Sequence, residues 1–228
     1  MINIKTNKSI QGNINRAIQT IVATLGVTFG IGGVGHGFFE ALQGNKATNG
    51  YVIHAIGEAN RMWLYGNEPA FTIIPNFLIT GIAAMLVGIA VIIWSWGFMH
   101  KKHASTVFLS LFILLFLVGG GIGQVVFFMI AWAMSTCIHS PLNWWRKVLP
   151  ATMRRFLSKL WRPFLIASTV LILFALQIAI FGFVPGVSNP NIISIIMVST
   201  LGAGLLFLIL AFISGCAHDI YKGGVTSE

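Results

Sequence analysis

The chain has 228 residues, of which 56% are apolar and only 8% charged, and its 14 basic and 5 acidic residues leave a net charge of +9. Several apolar stretches reach the roughly 20 residues needed to cross a bilayer, which excludes an ordinary water-soluble fold and leaves no room for a separate soluble domain. Two cysteines, Cys137 and Cys216, exclude a disulfide framework. The basic excess is explained by topology and membrane anchoring, so nucleic acid is not expected as a partner.

Backbone donors and acceptors inside a bilayer must pair within their own segment, and these runs are continuous rather than alternating. Both features predict an all-α, polytopic membrane helix bundle and not a barrel. The first sixteen residues are polar and carry Lys5, Lys8 and Arg16. The apolar run that follows is too long for a signal peptide and lacks a small-residue cleavage pattern, so it predicts an uncleaved span over about 17–40. On that span Gly26, Gly30, Gly33 and Gly37 recur at helical spacing, forming a groove for another helix of the bundle or of a homo-oligomer. A neighbouring stripe, Gly32, His36, Glu40 and Gln43, turns His36 and Glu40 toward the bundle.

Residues 41–71 form an external lid, within which Tyr51 to Tyr65 is expected to be a surface helix carrying His54, Glu58, Arg61 and Tyr65 on one stripe. Folded over the first span, the lid would bring together His36, Glu40, His54 and Glu58. Four such ligands suit a transition metal such as Zn; without a metal the same groups could relay protons. The plainer alternative is that Glu58 and Arg61 are a solvated surface pair and that Glu40 merely ends the span at headgroup level.

The second span is expected over 77–98. The run from Thr106 to Ile138 is too long for one span and short for two, with Gly119, Gly120, Gly121 and Gly123 in its middle. Glycine interrupts helices at about 1 kcal/mol per residue relative to alanine, so two short helices, 106–118 and 124–138, joined at a glycine-rich turn are expected. The hairpin puts twelve Lys and Arg on one side of the membrane and only Lys46 and Arg61 on the other, whereas a single crossing divides them five against nine. The positive-inside rule then places both termini in the cytoplasm; the expected membrane is the plasma membrane of a prokaryote. Gln124, just past the glycines, and Gln177 could line a solute or proton pathway, with Arg61 as a further member.

The basic segment 144–162 reads as a cytoplasmic amphipathic helix, with Met153, Phe156, Leu157, Leu160 and Trp161 on one face and Arg155, Lys159 and Arg162 on another. Its expected partner is anionic inner-leaflet lipid. Spans at about 163–184 and 192–215 complete six helices. Cys137 with His139 and Cys216 with His218, followed by Asp219, could make a cytoplasmic site for a soft metal if both helices have ended there. His100 and His103, flanking Lys101 and Lys102, read as an inner-leaflet anchor.

The dipeptides around His36 to Gly44 and the run Asn67-Glu-Pro-Ala-Phe-Thr-Ile-Ile-Pro-Asn76 resemble an uncharacterised family of small multipass membrane proteins of bacteria and archaea. The resemblance covers most of the chain and implies no activity, cofactor or catalytic residue. From the residues alone, the expected function is an outward-facing His/Glu pocket for a cation or for proton-coupled transport of a small solute. The alternatives are a membrane-embedded metal-dependent hydrolase and a structural or regulatory membrane subunit with no site.

Overall fold

The computed structural model describes residues 14–225; Lys5 and Lys8 of the charge count lie outside that range. Most of the described chain is helical, in the order α1 (Arg16–Leu42), β1 (Val52–His54), β2 (Pro69–Thr72), α2 (Phe77–Gly97), α3 (Ala104–Leu117), β3 (Val118–Gly121), α4 (Val125–Ser135), α5 (Asn143–Val148), α6 (Ala151–Leu157), α7 (Trp161–Phe181) and α8 (Pro190–Val225). Four of these helices, α1, α2, α7 and α8, are long and apolar enough to cross a membrane. α3 and α4 are shorter and equally apolar.

Glycine decides how α1 and α2 meet. A Cβ on Gly37 would lie 2.7 Å from Met85 N and 3.0 Å from Ala84 Cβ, and one on Gly88 would lie 2.9 Å from both Gly30 O and Val34 N. The two backbones therefore touch along a ladder where no side chain fits, the small-residue packing that membrane helices use in place of a hydrophobic driving force. Gly33 faces Leu115 of α3 instead. α7 and α8 form a second pair, in which Ser168 Oγ donates to Gly204 O at 2.8 Å and Gly204 admits Ile172.

At one end of the bundle four segments are tied together. α1 begins without a side-chain cap from Asn15, whose Nδ2 donates instead to Cys137 O and Ser140 O, both at 2.7 Å. The first free N–H groups of α1 are taken by a residue about two hundred positions away: Ala17 N donates to Asp219 Oδ1 at 3.0 Å and Ile18 N to Asp219 Oδ2 at 3.1 Å. The run through α3, β3 and α4 leaves from Lys101 and returns to the same place, with His139 Nε2 3.1 Å from Lys101 O.

The opposite end is crossed by the segment between α1 and α2, and here the expected lid helix is corrected. Residues 51–65 contain a strand and a short 3-10 turn at Glu58–Asn60 rather than a helix. Gly57 within the window and Gly50 and Gly66 at its two edges weaken helix, while β-branched Val52 and Ile53 suit a strand. β1, β2 and β3 make an antiparallel sheet in that order, with Val52 opposite Phe71 and Phe71 opposite Gly120. The glycines after α3 are thus an extended, wholly buried strand paired with the crossing loop. The pairing satisfies backbone groups that an open coil at this depth would leave bare.

Two boundaries also differ. The segment 144–162 is broken into α5, α6 and the start of α7 at Trp161, because Leu149 is extended and Pro150 N-caps the next helix. α8 runs on past Gly215 to Val225.

Candidate functional site

The crossing loop brings Glu68, not Glu58, to the first helix. His36 Nε2 lies 3.6 Å from Glu68 Oε2. Glu68 stands in a left-handed conformation, φ +45°, immediately before Pro69. A residue preceding proline is normally held to extended backbone, and a non-glycine residue in the left-handed region costs of order 1–3 kcal/mol. Pairing on either side holds it there: Ala55 N donates to Glu68 O at 2.9 Å and Ile56 N to Asn67 O at 3.2 Å. Burial keeps the Glu68 carboxyl above the ordinary carboxylate range.

Gln124 joins the pair from the short 3-10 turn that opens α4. His36 is 8% exposed and Gln124 6%, yet among the described residues His36 Nδ1 and Gln124 Oε1 have no hydrogen-bond partner. Gly121 is the reason the imidazole fits, since a Cβ there would sit 2.7 Å from both Cε1 and Nε2 of His36.

Two cavities flank this group and share His36, Glu68, Gln124 and Leu176 as lining. The first, about 200 Å³, lies against α7 and is walled by Ile31, Leu173, Gln177 and Ile180. The second, about 270 Å³, reaches α8 at Met197 and Leu201 and is floored by Phe29 and Phe127. An apolar chamber with a few convergent polar groups is the usual form of a small-molecule site.

Glu40, one turn beyond His36, is fully buried, and both its carboxylate oxygens lack a partner among the described residues. It lies against the backbone of Gly119, whose φ of +118° and lack of a side chain make room for it; a Cβ there would be 2.8 Å from Oε1.

The other expected members fall elsewhere. His54, Glu58 and Arg61 are exposed, and the four-ligand set His36, Glu40, His54 and Glu58 is not assembled. Among the described residues no three His, Cys, Asp or Glu side chains are grouped as a metal requires. The His36–Glu68 pair offers two donors where zinc takes three or four from protein, so these residues do not fit a transition metal. The loop turned as a strand, so the helical stripe that would have aligned His54, Glu58 and Arg61 does not exist. Gln177 is exposed at the edge of the first cavity, which it lines.

The soft-metal set at the other end is likewise corrected. His139 faces Lys101 O, His218 Nδ1 lies 3.0 Å from Ser158 O, and Asp219 caps α1, so these three side chains already serve backbone, and Cys137 and Cys216 belong to no group of three ligands among the described residues. Arg155, Lys159 and Arg162 are exposed, as are Met153 and Phe156 of the facing apolar stripe. Arg162 also stacks 5.2 Å over the Trp161 ring.

Glu68 and Gly121 are the site residues that helical spacing could not supply. The available signal was Pro69 and Pro75 bracketing an extended run, which places an acid at the start of a strand re-entering toward α2. Comparison with known protein families, curated proteins and solved structures finds no match to this chain.

Proposed function

We propose that this integral membrane protein binds a small solute in the paired cavities around His36, Glu68 and Gln124, with the His36–Glu68 pair exchanging a proton as the solute enters or leaves. One observation carries the reading: the His36–Glu68 pair and the buried side chain of Gln124 are shared as lining by two apolar cavities. Intramembrane ionisable groups are retained for function by default. A broken pair of short helices beside the site is the arrangement in which transporters bind solute.

The same reading sets the orientation. Among the described residues, ten Lys and Arg (Arg16, Lys101, Lys102, Arg146, Lys147, Arg154, Arg155, Lys159, Arg162 and Lys222) belong to the end that Asp219 ties, against Lys46 and Arg61 at the other. The tied end is therefore cytoplasmic, six segments cross or enter the bilayer, and the chamber lies toward the outside. Exposed Met153 and Phe156 beside Arg155 and Lys159 rest on anionic lipid of the inner leaflet.

The test is proton movement in proteoliposomes loaded with a pH-sensitive dye, challenged with a panel of small cationic, neutral and anionic solutes. Wild-type protein is expected to move protons with at least one class, and Glu68→Gln to move none. A dye response identical in both proteins for every class refutes the reading.

A further inference from the structure

Glu40 is a buried acid that the chamber does not use. It lines neither cavity, it is 0% exposed, and among the described residues neither of its carboxyl oxygens has a hydrogen-bond partner. Counter-charge is equally scarce. α2, β2, α3, β3 and α4 contain no Asp, Glu, His, Lys, Arg, Cys or Tyr, and the ionisable residues of α7 and α8 lie at the end that Asp219 ties. On α1 the nearest is His36, one turn back, whose Nε2 is turned to Glu68. In the crossing loop Lys46, Tyr51, His54, Glu58, Arg61 and Tyr65 are exposed. An isolated carboxylate in such a place is too costly to persist, so the group sits there as the neutral acid.

What covers the acid is an irregularity in the sheet. Phe71 pairs with Gly120 and Thr72 with Val118, which leaves Gly119 as an extra residue with no partner across the ladder. Such a bulge interrupts strand pairing and recurs beside functional groups. Gly119 takes φ +118°, and a Cβ there would stand 2.8 Å from Glu40 Oε1. On either side the strand is held, since Val118 O accepts from Thr80 Oγ1 at 2.8 Å and Gly120 pairs with Phe71. Gly119 is the point of the seal that the ladder does not fasten.

We propose that the Gly119 bulge is a proton-linked gate, closed over Glu40 while the carboxyl holds its proton and open to water once that proton has left. Opening turns the acid into a carboxylate and one proton, which passes to the entering water; closing takes one proton back. The closed state therefore binds one proton more than the open state, so closure is favoured as pH falls and opening as pH rises. The gate does not depend on the solute reading above, because Glu40 borders neither cavity.

The experiment follows the full chain in lipid nanodiscs, as wild type and as Glu40→Gln, from about pH 6 to about pH 10. Two signals are read, the infrared carbonyl band of a carboxylic acid and the amide hydrogen exchange of a peptide covering 118–121. Wild type is expected to show at the low end an acid band that Glu40→Gln lacks, and to lose it as pH rises. Over the same range its exchange at 118–121 should become at least tenfold faster than that of Glu40→Gln; comparison at equal pH removes the intrinsic pH dependence of exchange. Glu40→Met, uncharged and of similar length, serves if Glu40→Gln does not fold. Equal exchange in wild type and the uncharged variant at every pH overturns the gate, and so does a wild type without the Glu40 band at the low end.

Discussion

Two glycines two positions apart on the second half of α1, Gly35 and Gly37, should respond to alanine in opposite directions. Gly37 faces α2, where an added methyl would come within 2.7 Å of Met85 N and 3.0 Å of Ala84 Cβ and would also meet Gly81 O. Ordinary contact is about 3.5–4.0 Å, so α2 must move away and loosen the ladder at Gly81 and Gly88. Overpacking of this kind costs about 1–3 kcal/mol, offset by up to about 1 kcal/mol of helix propensity, for a net loss of up to about 2 kcal/mol when the offset is complete. At Gly35 nothing lies within 4 Å of the added methyl, so only the propensity remains, a gain of up to about 1 kcal/mol. Reversible unfolding in mixed detergent micelles, followed by circular dichroism, reads both. Equal shifts of one sign in Gly35→Ala and Gly37→Ala would refute the close-approach argument, because propensity alone cannot tell the two positions apart.

Asp219→Ala removes the acceptor for two N–H groups of α1 and should cost about 1.5–3 kcal/mol, with Asp219→Asn intermediate, measured in the same assay. Glu68, held above its ordinary range by burial, binds its proton more tightly folded than unfolded. Its contribution is therefore complete below the ordinary Glu value of 4.5 and is lost as pH rises through the raised one; Glu68→Gln should flatten that decline in a stability-against-pH series. In intact cells, a membrane-impermeant maleimide should label Lys46→Cys and spare Lys102→Cys, and the reverse pattern would invert the topology.

Long apolar runs carried enough signal to place α1, α2 and α7 within a few residues of their observed limits, because a helix in a bilayer is specified by composition over about 20 positions. The stripe containing His36 and Gln43 was also legible. His36 is buried toward the chamber, and Gln43 reaches the loop, its Nε2 donating to His54 O and Ala55 O at 2.9 Å. The partner of His36 was not legible, because periodicity assigns faces only after the period is known. Val52 to His54 pairs in strand register with Pro69 to Phe71, a contact set by segments distant in sequence. Gly119 to Gly121 shows the same thing: glycine announces a break in helix, but whether the break is a bare turn or a paired strand depends on what lies across from it.

The hydroxyl chain beneath the sheet bears on how the chamber could widen. Ile74 N donates to Thr72 Oγ1 at 3.0 Å, Thr72 and Thr80 share a bond of 2.6 Å, and Thr80 donates to Val118 O at 2.8 Å. This rivets the loop, α2 and the tip of the α3–α4 excursion into one block with α1. Against the paired α7 and α8, that block is fastened at the loop end, among the described residues, by two side-chain bonds, Trp63 Nε1 to Ala179 O at 2.8 Å and Tyr65 to Asn191, and by the packing of Trp63 on Gly182. Releasing them costs about 1–3 kcal/mol together, while the Asp219 clasp at the far end stays shut. The Asp219 clasp and the two loop-end bonds thus stand at opposite ends of the seam along which His36 and Glu68 lie.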